Sequence, residues 1–262
     1  MSIVWVIILG IVQGVTEFFP VSSSGHLAVF PFIFNFKDPG LSFDIALHFG
    51  TFFAILFAFW PEWRTLFNKV IKFDKSGIKL AGLLLITAIP GAIAGILLED
   101  YAKTVFRAPE IVAVALVIFG LILYFVDQKM SSKKTIEDIQ YKDAFVIGIS
   151  QALALVPGVS RSGVTITAAR WLGIGRESAI KYSFMASLPI IAGASVVGLK
   201  DVPLDQLFSL NWVLGFTIAL LASAWAIKFL TNYAKSHDFK IFLWWRIGLA
   251  ALLLFLIWRR NG

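Results

Sequence analysis

The chain has no cysteine, which excludes a thiol nucleophile, disulfides and thiolate metal sites. Charge is scarce as well: Asp, Glu, Lys and Arg supply 15% of the 262 residues, where soluble domains carry about a quarter. The longest polar stretch, 127–143, is rich in Lys, Asp and Ser with charges of alternating sign; it reads as a connecting loop, so no soluble domain is expected. No basic segment precedes the first apolar run, and Gln13 and Glu17 interrupt that run, which argues against a cleavable signal peptide. The net charge of +7 comes mostly from loops and reads as membrane topology, with no nucleic-acid surface implied. What the chain does have is apolar bulk: 58% hydrophobic residues and a mean hydropathy of +0.83. It is expected to be a polytopic membrane protein.

One polar cassette occurs twice inside these apolar segments. The first copy runs Gly10-Ile-Val-Gln13-Gly-Val-Thr-Glu17-Phe-Phe-Pro20-Val-Ser22-Ser23-Ser24-Gly25-His26, and the second runs from Gly148 through Gln151, Pro157, Gly158, Ser160, Arg161 and Ser162 to Gly163. At a constant offset of 138 positions, Gly10 meets Gly148, Gln13 meets Gln151, Ser22 meets Ser160, Ser24 meets Ser162 and Gly25 meets Gly163, while the prolines miss by one place. Polar and ionisable side chains are costly at membrane depth, so a doubled cluster of them marks a site. Duplication with Pro/Gly-broken segments also points to a fold made of two halves.

A helix needs about 20 apolar residues, and at least roughly 17, to cross the hydrocarbon core. Six segments approach this length, near 43–60, 80–98, 111–126, 178–199, 211–230 and 241–258. Four are too short or too polar, near 2–19, 26–36, 144–156 and 163–174, and each cassette joins two of these. Each pair reads as a re-entrant hairpin, because irregular backbone at that depth survives only when buried in protein or lining a cavity. The expected fold is an all-α polytopic membrane protein with an inverted-topology repeat: six full transmembrane helices plus two re-entrant helical hairpins. Residues 1–126 form the first repeat, 127–143 a cytoplasmic linker and 144–262 the second repeat. Three spans follow each hairpin, and the odd number turns the second half upside down. Arg64, Lys69, Lys72, Lys75, Lys79, Lys129, Lys133, Lys134, Lys142, Lys235 and Lys240 fall on one side; Lys37, Lys103, Arg107, Lys200, Arg259 and Arg260 fall on the other. The positive-inside rule makes the first set cytoplasmic and leaves both termini outside.

Gln13 and Glu17 are i and i+4, on one face of the first half-helix. Pro20 ends that helix, and a Ser-rich turn opening the next offers hydroxyls, backbone N–H groups and a positive dipole end suited to phosphate. The second cassette adds Arg161, whose guanidinium forks onto phosphate oxygens. If inversion brings the turns face to face, the set is one for phosphoryl transfer. Structural readings stand beside this one: Gln13 as an interhelical hydrogen bond, Glu17–Arg161 as a buried ion pair, and His26 as a satisfied core histidine. Asp44 and His48, also i and i+4, are too few for a metal site and are expected to make a structural hydrogen bond. Arg246 lies inside the last span with no evident partner. Trp63, Trp212, Trp244, Trp245 and Trp258 read as interfacial anchors.

At these residues the chain resembles the undecaprenyl-pyrophosphate phosphatase family of the BacA/UppP type, associated with bacitracin resistance. Its first signature is matched by Gln13, Glu17, Pro20, Val21, Ser22, Ser23, Ser24, Gly25 and His26, and its second by Pro157, Gly158, Ser160, Arg161, Ser162 and Thr165. The resemblance spans the chain and implies hydrolysis of undecaprenyl pyrophosphate to the monophosphate carrier of peptidoglycan synthesis, in the bacterial cytoplasmic (inner) membrane among membrane lipids. It also implies a divalent cation, Mg2+ or Ca2+, with Glu17 as the one acidic candidate ligand, since Gln13 stands where many members carry glutamate. The expected mechanism is attack by Ser23, with Glu17 or His26 accepting its proton and Arg161 neutralising charge. Ser22, Ser24, Gly25, Ser160, Ser162, Gly163, Thr165 and Gln13 would hold the phosphates. A His26 nucleophile or direct attack by water stays open. The phosphatidic-acid phosphatase type 2 superfamily is not matched, because Thr167 and Trp171 occupy the places of its required histidine and aspartate. A transporter or flippase of a lipid phosphate, using the same midplane site, is the alternative, and a homodimer is compatible with the sequence.

Overall fold

A computed structural model describes residues 1–36, 40–98, 100–101, 104–130, 134–200 and 202–261, and their regular secondary structure is helical apart from one isolated bridge between Lys134 and Ile174. Pro20 stops α1 (Ile3–Phe18), and after the Ser-rich turn α2 (Ser23–Phe34) begins. Then follow α3 (Leu41–Ala58), α4 (Trp60–Ile71), α5 (Lys75–Leu97) and α6 (Pro109–Lys129). The second cassette lies between α7 (Tyr141–Ala152) and α8 (Arg161–Trp171), with a 3-10 turn at Leu153–Leu155. The chain continues through α9 (Arg176–Leu199), the short α10 (Leu204–Leu207), α11 (Leu210–Tyr233) and α12 (Lys240–Asn261).

Among the described residues, α5, α6, α9, α11 and α12 are each long and apolar enough to cross a membrane. The sixth expected span, 43–60, falls on α3, which stops at Ala58, and a further helix, α4, leaves at 71° to it. Pro61 in the first turn suits a new helix start, since its missing N–H would be unpaired there anyway. α4, expected as loop, is amphipathic: Trp63 and Leu66 pack on the main core while Phe67 and Ile71 stay exposed, the pattern of a helix lying along an interface. The linker is also shorter than expected, because α6 runs through Lys129 and Tyr141 already opens α7. Lys37, Lys103 and Lys133 lie outside the described residues.

The half-helices pack by close approach of small residues. α1 and α3 both lie along α11, α7 lies along α5, α6 pairs with α12, and α3 meets α9. At Gly10 a Cβ would come within 2.9 Å of Ile218, and at the matching Gly148 within 2.8 Å of the Thr87 carbonyl. In lipid, where apolar surface gains nothing by leaving water, such contact is what holds helices together. The main core draws Phe18, Ile55, Leu83, Ile147, Phe184 and Ile227 from both halves, with Phe18 edge-on to Phe184 at 5.1 Å.

One end of the bundle is tied by charge. Asp127, expected in the polar loop, is 2% exposed at the end of α6 and accepts from Arg170 Nε at 3.0 Å and from Arg176 Nε and Nη2 at 2.8 and 2.9 Å. Arg170 also donates to the carbonyls of Met130 and Ile174. Removing one partner of a buried pair leaves the other charge uncompensated, at a cost of about 3–5 kcal/mol. Asp127→Ala is therefore expected to lower the unfolding temperature of detergent-purified protein markedly, and an unchanged temperature would contradict this role.

Candidate active site

The two cassette turns have the same construction. Ser22 and Ser160 both hold positive φ, 74° and 75°, a region that costs a non-glycine residue roughly 1–3 kcal/mol. Each hydroxyl caps the helix that follows, accepting from the N–H three residues on: Gly25 to Ser22 at 3.2 Å, and Gly163 to Ser160 at 3.1 Å. Each also faces the second serine beyond it, Ser24 at 3.3 Å and Ser162 at 3.2 Å. The strain is sustained because the turns bond to each other. Gly158 N–H donates to Ser22 Oγ at 2.9 Å, and Ser162 Oγ donates to the Phe19 carbonyl at 3.1 Å.

The candidate site lies where the turns meet. Glu17 Oε2 accepts from Ser23 Oγ at 2.6 Å and from Gln13 Nε2 at 3.0 Å, while Oε1 accepts from Arg161 Nη2 at 2.6 Å. Arg161 Nη1 is buried without a partner. Glu17, Ser23, Ser24, Ser160 and Arg161 line a cavity of about 190 Å³, joined by His48 and Gln151 and walled by Leu155, Ile190, Ile191 and Ala194. A polar floor at two helix starts with an apolar wall suits a phosphate carried on a hydrocarbon chain.

The other expected residues stand behind this surface. Ser22, Gly25, Ser162 and Gly163 build the turns. Thr165 Oγ1 bonds the Arg161 carbonyl at 2.8 Å and Ser183 Oγ at 2.6 Å, fixing the first turn of α8. Gln13 orients Glu17. His26 is set apart: it is 1% exposed, its Nδ1 donates to the Ser22 carbonyl at 2.7 Å, and its Nε2 accepts from Trp245 Nε1 at 2.9 Å. With both ring nitrogens engaged, it reads as a brace for the turn. Trp245, expected only as an interfacial anchor, supplies that bond. His48 makes the expected structural hydrogen bond through the main chain, to the Asp44 carbonyl at 2.8 Å.

Arg246 is the residue the sequence left without a role. It is fully buried in α12, and its Nε donates to the Pro20 carbonyl at 2.6 Å. Its Nη1 and Nη2 reach the Val159 carbonyl at 3.3 Å, and Nη1 reaches that of Gly158 at 3.4 Å. One guanidinium thus satisfies broken backbone from both cassettes. A Cβ at Gly163 would lie 2.6 Å from its Nη2, so glycine makes the room.

Among the described residues, no three His, Asp or Glu side chains gather where they could hold a metal ion. Both oxygens of Glu17, the expected ligand, already accept from side-chain donors. This donor set does not fit a metal held by the protein alone.

A serine bonded to a carboxylate that is itself paired with a guanidinium, at the starts of two helices in an apolar bundle, is the donor set of a membrane protein that handles phosphoryl groups. The chain belongs to the family described as "Bacitracin resistance protein BacA", whose family model matches residues 6–252. It is 41% identical over 269 residues to the "Undecaprenyl-diphosphatase" of Moorella thermoacetica, covering 100% of both chains. It is 40% identical to that of Pelotomaculum thermopropionicum, covering 97% of each. To that of Elusimicrobium minutum it is 42% identical, over 97% of this chain and 98% of the relative.

Arg246→Met should destabilise the protein by about 1–3 kcal/mol for each buried carbonyl left without a donor. The expected readout is a lower unfolding temperature together with lost activity, although Arg246 does not line the cavity. A stable, fully active variant would contradict the clamp.

Proposed function

We infer that this chain is an integral-membrane phosphatase that hydrolyses undecaprenyl pyrophosphate to undecaprenyl phosphate and inorganic phosphate. It thereby recycles the lipid carrier for peptidoglycan synthesis and confers bacitracin resistance. The observation that carries the reading is the Ser23–Glu17–Arg161 chain of bonds inside one cavity. Ser23 attacks the terminal phosphorus and Glu17 takes its proton. Arg161 keeps one arm on Glu17 and turns the other, Nη1, to the phosphate, where developing charge is neutralised together with the starts of α2 and α8. His26 holds the turn in shape. Ser24 presents its hydroxyl to the phosphates, with Ser22, Gly25, Ser160, Ser162, Gly163, Thr165 and Gln13 supporting the turns behind it. The Mg2+ or Ca2+ that the family implies would have to be held mainly by the pyrophosphate oxygens, where it would neutralise phosphate charge, since both Glu17 oxygens are already engaged.

The two halves, 1–126 and 144–262 about the linker 127–143, are read as inverted repeats. The matched serine turns support this, as does the packing of α1 on α11 and of α7 on α5, with α6 against α12. The positive-inside rule assigns the Lys-rich loops to the cytoplasm and both termini to the outside of the inner membrane. Contacts such as Lys79 Nζ to the Glu137 carbonyl support the grouping of those loops at one end. All proposed site residues come from one chain, with a homodimer compatible. Transport is disfavoured, since a carrier has no use for a serine bonded to a carboxylate and the relatives named above are diphosphatases.

The test is phosphate release from undecaprenyl pyrophosphate by detergent-purified protein, with and without magnesium. Ser23→Ala and Arg161→Lys are each expected to lose roughly 10²-fold or more, because an ammonium cannot hold Glu17 and phosphate at once. Full hydrolysis by Ser23→Ala would overturn the serine mechanism.

A further inference from the structure

The serine mechanism asks two proton acceptors of the site, one for each half of the reaction. Once Glu17 has taken the proton of Ser23, it cannot also accept one from the water that must release the phosphate. Among the described residues, the titratable side chains lining the cavity are Glu17, Arg161 and His48. Arg161 stays protonated, and His26 is engaged at both nitrogens. His48 remains.

Its geometry suits the task. The Asp44 carbonyl can only accept, so the 2.8 Å bond places the proton on Nδ1 and leaves Nε2 with its lone pair. On α7, Gln151 Nε2 donates to the Thr87 carbonyl at 3.0 Å, which fixes the amide and leaves Oε1 buried with no partner. Gln151 Oε1, an acceptor without a donor, thus shares one cavity of about 190 Å³ with the His48 ring. The species that satisfies both is one with two O–H bonds. A water donating to each keeps its remaining lone pairs for an electrophile.

We propose that His48 Nε2 and Gln151 Oε1 hold the attacking water, and that His48 is the base that accepts its proton. The inference rests on Ser23 as nucleophile. In the first step the Ser23 oxygen bonds to phosphorus, and the bridging P–O bond breaks with its electron pair leaving on undecaprenyl phosphate. In the second step the water oxygen bonds to phosphorus and its proton passes to Nε2. The P–O bond to Ser23 breaks, and Ser23 recovers its proton from Glu17. His48 then passes its proton to the departing phosphate or to solvent.

The experiment follows undecaprenyl phosphate and inorganic phosphate separately in the first turnover, with intact-protein mass, for wild type, His48→Gln, Gln151→Leu and Ser23→Ala. For His48→Gln, undecaprenyl phosphate should appear near the wild-type rate while phosphate release falls roughly 10²–10⁴-fold, the usual worth of a general base. The protein should gain the mass of one phosphoryl group, and added imidazole should restore part of the loss. Gln151→Leu should show the same split, less severely. It carries the test if His48→Gln does not purify folded. Wild-type phosphate release by His48→Gln, or equal slowing of both products, overturns the proposal. Full hydrolysis by Ser23→Ala instead overturns the serine reading beneath it, so the two failures are distinguishable.

Discussion

The structure depends on one constraint: backbone that leaves the helix at membrane depth must be hydrogen-bonded by the protein itself, since lipid offers nothing. Two such breaks meet here, and a single buried guanidinium serves both. Arg246 donates to the carbonyls of Pro20, Gly158 and Val159, and Gly158 N–H turns to Ser22. A charge without a carboxylate beside it is costly to bury. Here it is dispersed over carbonyl dipoles that would otherwise be unpaired, so two liabilities offset each other.

The same juxtaposition assembles the proposed site. Neither turn holds a complete phosphoryl-transfer set: the first brings Ser23 and Glu17, the second Arg161. Bonding the turns places all three in one cavity, with the starts of α2 and α8 beside them. The positive φ of Ser22 and Ser160 is the conformational cost of that placement, and it falls at matching positions of the two cassettes.

Much of this was legible in the sequence, for a physical reason. Gln, Glu, Ser and Arg inside apolar runs are too costly to be incidental, so the cassettes pointed to the cavity that the two turns share, and segment length announced the short helices and five of the spans. The end of α3 was placed correctly, but α4 was hidden because its charged residues looked like a loop, and hydropathy does not report a helix turned by 71°. Asp127 sat in a charged run that looked solvated, whereas its partners Arg170 and Arg176 lie more than 40 positions away. Arg246 was unreadable because its partners are main-chain carbonyls, which no side-chain pattern encodes. The two histidines are placed differently by the fold. The histidine inside the motif is locked between Ser22 and Trp245, and the one outside it faces the cavity.

The central claim is that two turns from opposite halves act as one site, and a double-mutant cycle between Glu17 and Arg161 tests it most directly. Hydrolysis would be measured for Glu17→Gln, Arg161→Met and the double variant, each checked for folding. If the pair works as one unit, the double variant should lose no more than the worse single one, because residues acting together are strongly non-additive. Losses that simply multiply would mean that the halves contribute independently, and would contradict the account.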